Sequence, residues 1–443
     1  MKDLGLSLIK NALKADGIKA RFLRGSMWSV AGTGISKALM LLSFMIVARI
    51  IGKESYGELG IIRSTLNMFT LLAGMGLGNT LAKYIAEYRN KRPQFAYDVY
   101  LMSNRLGVGF ALIIGLLLII FAPTIAEVSL KAPHLTNSVR FGAIVIFFTA
   151  INGIQSGSLS GLEQFSAMAK INIVYGAVEL VLIIILAYLW NVEGCVIALG
   201  LSRLVLYILN KILITKKMRE IPHELQPIDH ETYSVLWKFA LPSLGASLLF
   251  IPVLWWSKTF LVAHAGYGDM AILDVADQWS TIALFVPGIL AQILLPFLSN
   301  TRSEGEYKKY NKLITYNILA NGIIAGAIAL IVILFRNLIM ASYGKSFDNS
   351  LPLCLLMISS IFVSICNVVG QVIASQGKMW IGFGFNALWC IWMVIFSYYF
   401  VHLGAVGISL ATLISYTQHF FGQGVYVLFV IKRGRMSQIT SIN

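Results

Sequence analysis

About a dozen apolar stretches, each roughly 20 residues long, fill nearly all of this 443-residue chain, and that length is what one helix needs to cross a bilayer. Backbone groups in hydrocarbon must be satisfied within the chain, so such stretches read as helices. No segment between them is long enough to build a soluble catalytic domain, so the chain is expected to work in or across a membrane and not to be an enzyme. Charged residues make up 12% of the chain, against about 25% in soluble domains. The mean hydropathy is +0.76.

The spans fall at about 26–51, 60–82, 99–121, 139–160, 168–190 and 194–214. A second set falls at 235–261, 273–298, 312–334, 349–374, 379–400 and 404–430. Residues 1–25 alternate Lys10, Lys14, Lys19 and Arg21 with Leu4, Leu8, Leu13, Ile18 and Phe22, which suits a cationic amphipathic helix on the membrane surface. The longest polar segment, 215–234, reads as a cytoplasmic linker between an N-lobe (26–214) and a C-lobe (235–430), and 431–443 reads as a cytoplasmic tail. Threading the spans from a cytoplasmic N-terminus places 25 of the 35 basic residues on the cytoplasmic side, the positive-inside bias. An even span count then puts both termini there. The same bias accounts for the net charge of +15, so no nucleic acid is expected as a partner.

Cys195, Cys354, Cys366 and Cys390 form no CxxC pair and have no His cluster beside them, so neither a disulfide framework nor a metal site is expected. Gly344-Lys345-Ser346 lacks the upstream glycine of a phosphate loop. It reads as an ordinary loop, and no cofactor is expected.

The halves resemble each other. Ile51-Gly52-Lys53 through Gly57 matches Ala265-Gly266-Tyr267 through Ala271 at an offset of 214 (266 − 52). Leu81 pairs with Leu295 at the same offset, while Asn152 and Ser160 pair with Asn367 and Ser375 at 215 (367 − 152). Duplication of an even number of spans keeps the membrane orientation. The expected fold is therefore an all-α polytopic membrane protein of about 12 transmembrane helices, in two six-helix lobes related by a pseudo-two-fold along the membrane normal. Transporters built this way bind substrate at the repeat interface.

Polar side chains recur at helical spacing inside the spans. Arg63, Asn67, Thr70, Gly74 and Gly78 share one face of the second span, and Asp274, Asp277, Gln278, Thr281 and Phe285 one face of the eighth. The tenth gives Ser360, Ser364, Asn367, Gln371 and Ser375; the fifth gives Asn172, Tyr175 and Glu179; and the sixth gives Arg203, Tyr207 and Asn210. Helix–helix adhesion explains small and amide residues without any transport role. Full charges are costly in hydrocarbon and normally face a cavity or each other. Lys37, Arg63, Lys258 and Arg203 are therefore candidates to line one cationic cavity with Asn67, matched to a phosphate-like anion. Asp274, Asp277 and Glu179 would balance these cations when the cavity is empty, or bind a coupling ion. Pro242 and Pro252 are expected to interrupt the seventh span, and Pro287 and Pro296 the eighth.

Three stretches also carry a family resemblance: Gly25-Ser26-Met27-Trp28, Ala48-Arg49-Ile50-Ile51-Gly52-Lys53-Glu54-Ser55-Tyr56-Gly57, and Gly74 to Asn79 followed by Lys83-Tyr84-Ile85-Ala86-Glu87-Tyr88. With these the chain resembles the bacterial polysaccharide-biosynthesis flippases, including the O-antigen and enterobacterial-common-antigen translocases of lipopolysaccharide assembly. They belong to the multidrug/oligosaccharidyl-lipid/polysaccharide exporter superfamily. The similarity spans essentially the whole length. It implies a two-lobed transporter that moves a polyprenyl-pyrophosphate-linked oligosaccharide (undecaprenyl pyrophosphate being the usual carrier) from the cytoplasmic to the periplasmic leaflet of the inner membrane by alternating access. It also implies membrane lipids, a polysaccharide polymerase and a chain-length regulator as partners. The competing reading is a cation-coupled drug or small-molecule antiporter of the same fold, which Asp274 and Asp277 keep open.

Overall fold

Written as one straight rod, the first helix, α1 (Ile18–Gly74, 57 residues), would be about 85 Å long, nearly three times the roughly 30 Å of a hydrocarbon core. In the computed structural model it is instead two helical segments meeting at Gly52, whose backbone is non-helical (φ 79°, ψ 169°). The structure describes residues 18–74, 76–222, 230–235, 249–303 and 305–440. Residues 1–17 of the expected surface helix, 223–229 of the linker, the start of the seventh span with Pro242, and the last three residues of the tail lie outside the described residues.

After α1 come α2 (Leu77–Tyr88), α3 (Pro93–Thr124), α4 (Thr136–Gly161) and α5 (Phe165–Met218). Like α1, α5 is two segments, parted at Trp190 and Asn191, so the expected fifth and sixth spans lie on either side of that break. The short α6 (His230–Val235) precedes α7 (Phe250–Ala283), α8 (Phe285–Ser303), α9 (Tyr307–Leu334), α10 (Arg336–Tyr343), α11 (Leu351–Ser375), α12 (Met379–Phe400) and α13 (Ala405–Thr440). No strand occurs among the described residues, and seven helices there are long and apolar enough to cross a membrane. Two of the seven, Val30–Gly74 and Phe165–Met218, are the interrupted pairs.

Side-chain placement is that of a chain solvated by lipid. Leu112, Ile113, Leu116 and Ile120 on α3 are exposed, whereas Ser103, Asn152, Glu179 and Asn210 are buried. Water would reverse that pattern, and hydrocarbon favours it.

Proline sets one break. A proline ring clashes with the carbonyl four residues earlier, and α7 ends at Ala283, four residues before Pro287. Pro252 instead falls in the first turn of α7, where its missing N–H costs nothing. The expected interruption at Pro296 is absent, since α8 runs on through it.

The chain forms two compact units. One comprises residues 1–51 and 62–248, the other 52–61 and 249–443. In the first unit, Leu77, Leu81 and Ile85 of α2 pack with Phe95 and Val99 of α3, Ile154 and Leu159 of α4, and Ile214 of α5. In the second, Ala291, Leu294 and Leu298 of α8 pack with Tyr310 and Ile314 of α9, Val368 and Ile373 of α11, and Val427 of α13. Taken in order, these residues lie 213 to 215 positions apart (298 − 85, 310 − 95), so the duplication extends to the core itself. An arginine clamp repeats as well. Arg89 donates through Nη1 to the Gly161 carbonyl at 3.0 Å, and Arg302 donates through Nη1 to the Ser375 carbonyl at 3.2 Å.

These contacts correct three sequence pairings, since the clamps match Ser375 with Gly161 and not with Ser160. Leu81 corresponds to the buried Leu294, not Leu295. The clamped ends of α4 and α11 are 214 apart (375 − 161), which pairs Asn152 with buried Cys366, while Asn367 is exposed. A slip of one residue turns a helix by about 100° and moves the side chain to another face.

Candidate functional site

Within the first unit, five helical segments converge on a cavity of about 140 Å³. The second segment of α1 contributes Leu66 and, from the predicted stripe, Arg63, Asn67 and Thr70. The stripe is not continuous to Gly78, because α1 ends at Gly74 and α2 begins after Gly76 (φ 66°). The first segment adds Met40 and Phe44, α4 adds Val145 and Thr149, and the two segments of α5 add Glu179, Leu199 and Arg203.

Both arginines are held against aromatic rings. The Arg63 guanidinium carbon lies 4.0 Å from the centre of the Phe44 ring, and that of Arg203 lies 5.0 Å from the Tyr175 ring. These are cation–π distances, where loss of water strengthens the attraction. The Tyr175 hydroxyl donates to the Glu179 carboxylate, so the acid is fixed beside the arginine. Asn67 is exposed on the same face. Two guanidinium groups against one carboxylate leave the cavity net cationic. The planar donor fork of arginine matches a phosphate or carboxylate.

The remaining candidates are placed differently. Lys37 is half-buried, two turns before Phe44 on α1 and outside the residues lining the cavity. In the second unit, the Lys258 ammonium pairs with Asp277 at 2.5 Å, the two residues lying on either side of the non-helical Gly266 (φ 82°, ψ −177°). Asp274 accepts a hydrogen bond from Gln278 Nε2 at 2.7 Å, and the same nitrogen donates to the Tyr56 hydroxyl at 2.7 Å. Tyr56 in turn packs edge-on against Tyr343 and Phe347. Gly60 lets this helix close on α7, since a Cβ there would stand 3.1 Å from that of Asp274.

The structure thus brings Arg63, Asn67, Arg203 and Glu179 into one cavity and pairs Lys258 with Asp277. In the tenth-span stripe, the Ser364 hydroxyl donates to the Ile361 carbonyl of its own helix at 2.7 Å and lies 3.4 Å from that of Asn321 on α9, while Asn367 is exposed. Sequence reasoning missed Phe44 and Thr149. Phe44 was within reach, because 37, 40 and 44 share a helix face. Thr149 has no signal beyond a lone hydroxyl in an apolar run.

Comparison with known proteins fits this architecture. A family model described as "Polysaccharide biosynthesis protein" matches residues 22–302, more than half of the chain. The EPS I polysaccharide export inner membrane protein EpsE of Ralstonia nicotianae is 23% identical over 425 residues, covering 92% of this chain and 94% of that protein. The lipid III flippase of Escherichia coli is 25% identical over 280 residues, 62% of this chain and 67% of that one. A multidrug resistance MATE family transporter of the MOP superfamily, solved in its inward-facing conformation, shares the fold at a TM-score of 0.73 and 18% identity, covering 91% of this chain and 99% of that one. On the family match, the chain belongs to the polysaccharide biosynthesis proteins, and its long apolar helices make it a multi-pass membrane protein.

Proposed function

We propose that this protein is a flippase that carries a polyprenyl-pyrophosphate-linked oligosaccharide, an O-antigen repeat or similar unit, from the cytoplasmic to the periplasmic leaflet of a bacterial inner membrane by alternating access. The observation that carries this reading is the pair of arginines, Arg63 and Arg203, in a polar cavity among transmembrane helices. A membrane protein keeps such charges where they meet an opposite charge, and an anionic headgroup entering this cavity would meet both guanidinium groups.

In this reading Arg63 and Arg203 hold the pyrophosphate, Asn67 donates to it at the exposed edge, and Glu179 stands in for the anion when the cavity is empty. Lys258 and Asp277 form the matching charge-balanced element of the second unit, with Lys37 and Asp274 as accessory polar groups. Both termini face the cytoplasm, as the distribution of basic residues indicates. Transport is driven by an ion gradient, the membrane potential or removal of product. A polymerase and a chain-length regulator act downstream. The relatives named as a polysaccharide exporter and a lipid III flippase support the substrate class.

The test is translocation of a polyprenyl-pyrophosphate oligosaccharide by the purified protein in liposomes, wild type beside Arg63→Ala. Wild type moves the lipid and the variant does not. Export of organic cations against a proton gradient, with no movement of the glycan lipid, would replace this reading by the antiporter.

A further inference from the structure

Two buried amides on α4 take no part in the cavity. Asn152 and Gln155 are each 4% exposed and lie three residues apart on the face that meets α5. Asn152 Nδ2 donates to the backbone carbonyl of Arg203 at 3.0 Å, and Gln155 Nε2 donates to that of Tyr207 at 3.2 Å. Those carbonyls are one turn apart, so the amides form two rungs along the segment that carries Arg203. Their own oxygens, Asn152 Oδ1 and Gln155 Oε1, are buried without a partner among the described residues. A buried oxygen left unsatisfied is destabilising, and a leucine would join the same helices without that penalty. The amides are therefore explained by their donated hydrogen bonds, not by space filling.

The second unit supplies an internal control. At the offset of 214 set by the clamped helix ends, Asn152 corresponds to Cys366 and Gln155 to Val369, both buried. Arg203 falls opposite Tyr416 or Thr417, neither of which carries charge. The repeat without the arginine is also the repeat without the amides, so adhesion between these two helices does not require them.

We propose that Asn152 and Gln155 are positioning residues for Arg203, holding its helix in the register that keeps the guanidinium over the Tyr175 ring and within the cavity. The role of Arg203 at the headgroup rests on the flippase reading; the positioning itself does not. The test uses full-length protein in liposomes with two readouts. One is transport of polyprenyl-pyrophosphate oligosaccharide against its concentration. The other is the rate at which phenylglyoxal modifies Arg203, followed by mass spectrometry.

Asn152→Leu is expected to raise the half-saturating substrate concentration about tenfold with the maximal rate within about twofold. It should also change the phenylglyoxal rate at Arg203 by about fivefold or more. Asn152→His, which restores an N–H donor, returns both towards wild type, and in an Arg203→Ala background Asn152→Leu has no further effect on substrate binding. Gln155→Leu gives the same pattern and decides the matter if Asn152→Leu does not fold. Unchanged labelling and half-saturation would overturn the proposal, as would a lower maximal rate and lower stability at unchanged half-saturation. If wild type moves no glycan lipid while labelling still responds to Asn152→Leu, the flippase reading fails and the positioning stands.

Discussion

Gly52 and Gly266, 214 positions apart (266 − 52), hold one backbone conformation: φ 79° and ψ 169° at the first, φ 82° and ψ −177° at the second. Positive φ with extended ψ is essentially closed to residues that carry a Cβ. A Cβ built at either site meets nothing within 4 Å, so crowding is not what requires glycine there. The backbone angle is.

Gly52→Ala and Gly266→Ala should therefore each lower stability by about 1–3 kcal/mol. Gly370→Ala within α11, where a Cβ also meets nothing, should be neutral or stabilising by up to about 1 kcal/mol. Thermal unfolding of the three variants in detergent separates the cases. Equal effects at Gly52 and Gly370 would remove the conformational argument.

Arg89 and Arg302 each donate to the last carbonyl of a neighbouring helix, and Arg89 also pairs with Glu163 at 2.6 Å. Hydrogen bonds from charged donors contribute about 1.5–3 kcal/mol. Either alanine substitution should therefore lower stability in denaturant titrations, while Glu163→Gln, half-exposed and still able to accept, should do less.

Hydropathy made the spans legible, because hydrocarbon imposes apolar exteriors on helices of fixed length. Helical spacing made Arg63, Asn67 and Thr70 legible as one face. The duplication was visible at Gly52 and Gly266, but its register inside the helices was not. Leu294 and Leu295 look alike in a sequence, and only burial tells which one faces the core. That acids of the eighth span balance the cations was legible, but which of them meets Lys258 was not, since it depends on how the chain turns at Gly266. Phe44 is one apolar residue among many in its span, and only the guanidinium of Arg63 above its ring gives it a second role.

That ion pair supplies a third prediction. With side chains 17% and 36% exposed, its strength is below that of a fully buried pair. Lys258→Met should cost about 1–2 kcal/mol by leaving the Asp277 carboxylate without its ammonium partner at membrane depth. Lys258→Met with Asp277→Leu should recover most of that loss. A double variant as unstable as the single one would mean that the lysine acts through other contacts.

Arginine identity matters more than charge at the cavity. Lysine keeps the positive charge but loses the planar fork and the stacking on Phe44 or Tyr175. Arg63→Lys and Arg203→Lys should each weaken headgroup binding about tenfold or more, read as half-saturation in the liposome assay. Protein level in the membrane should stay at that of wild type. A lysine variant indistinguishable from wild type would show that a point charge suffices.

Glu179 gives the prediction with the most definite sign. Its carboxylate subtracts one charge from a cavity that holds two guanidinium groups, and it accepts the Tyr175 hydroxyl. Glu179→Gln keeps an acceptor for Tyr175 and removes the negative charge, so a bound pyrophosphate no longer competes with a carboxylate for Arg203. Half-saturation should fall several-fold. The maximal rate should fall as well, because a substrate held more tightly in the loaded state is released more slowly. Measuring transport over a range of substrate concentrations distinguishes this from simple damage, which lowers the rate without lowering half-saturation. An unchanged half-saturation would place Glu179 outside the balance of charge in the cavity.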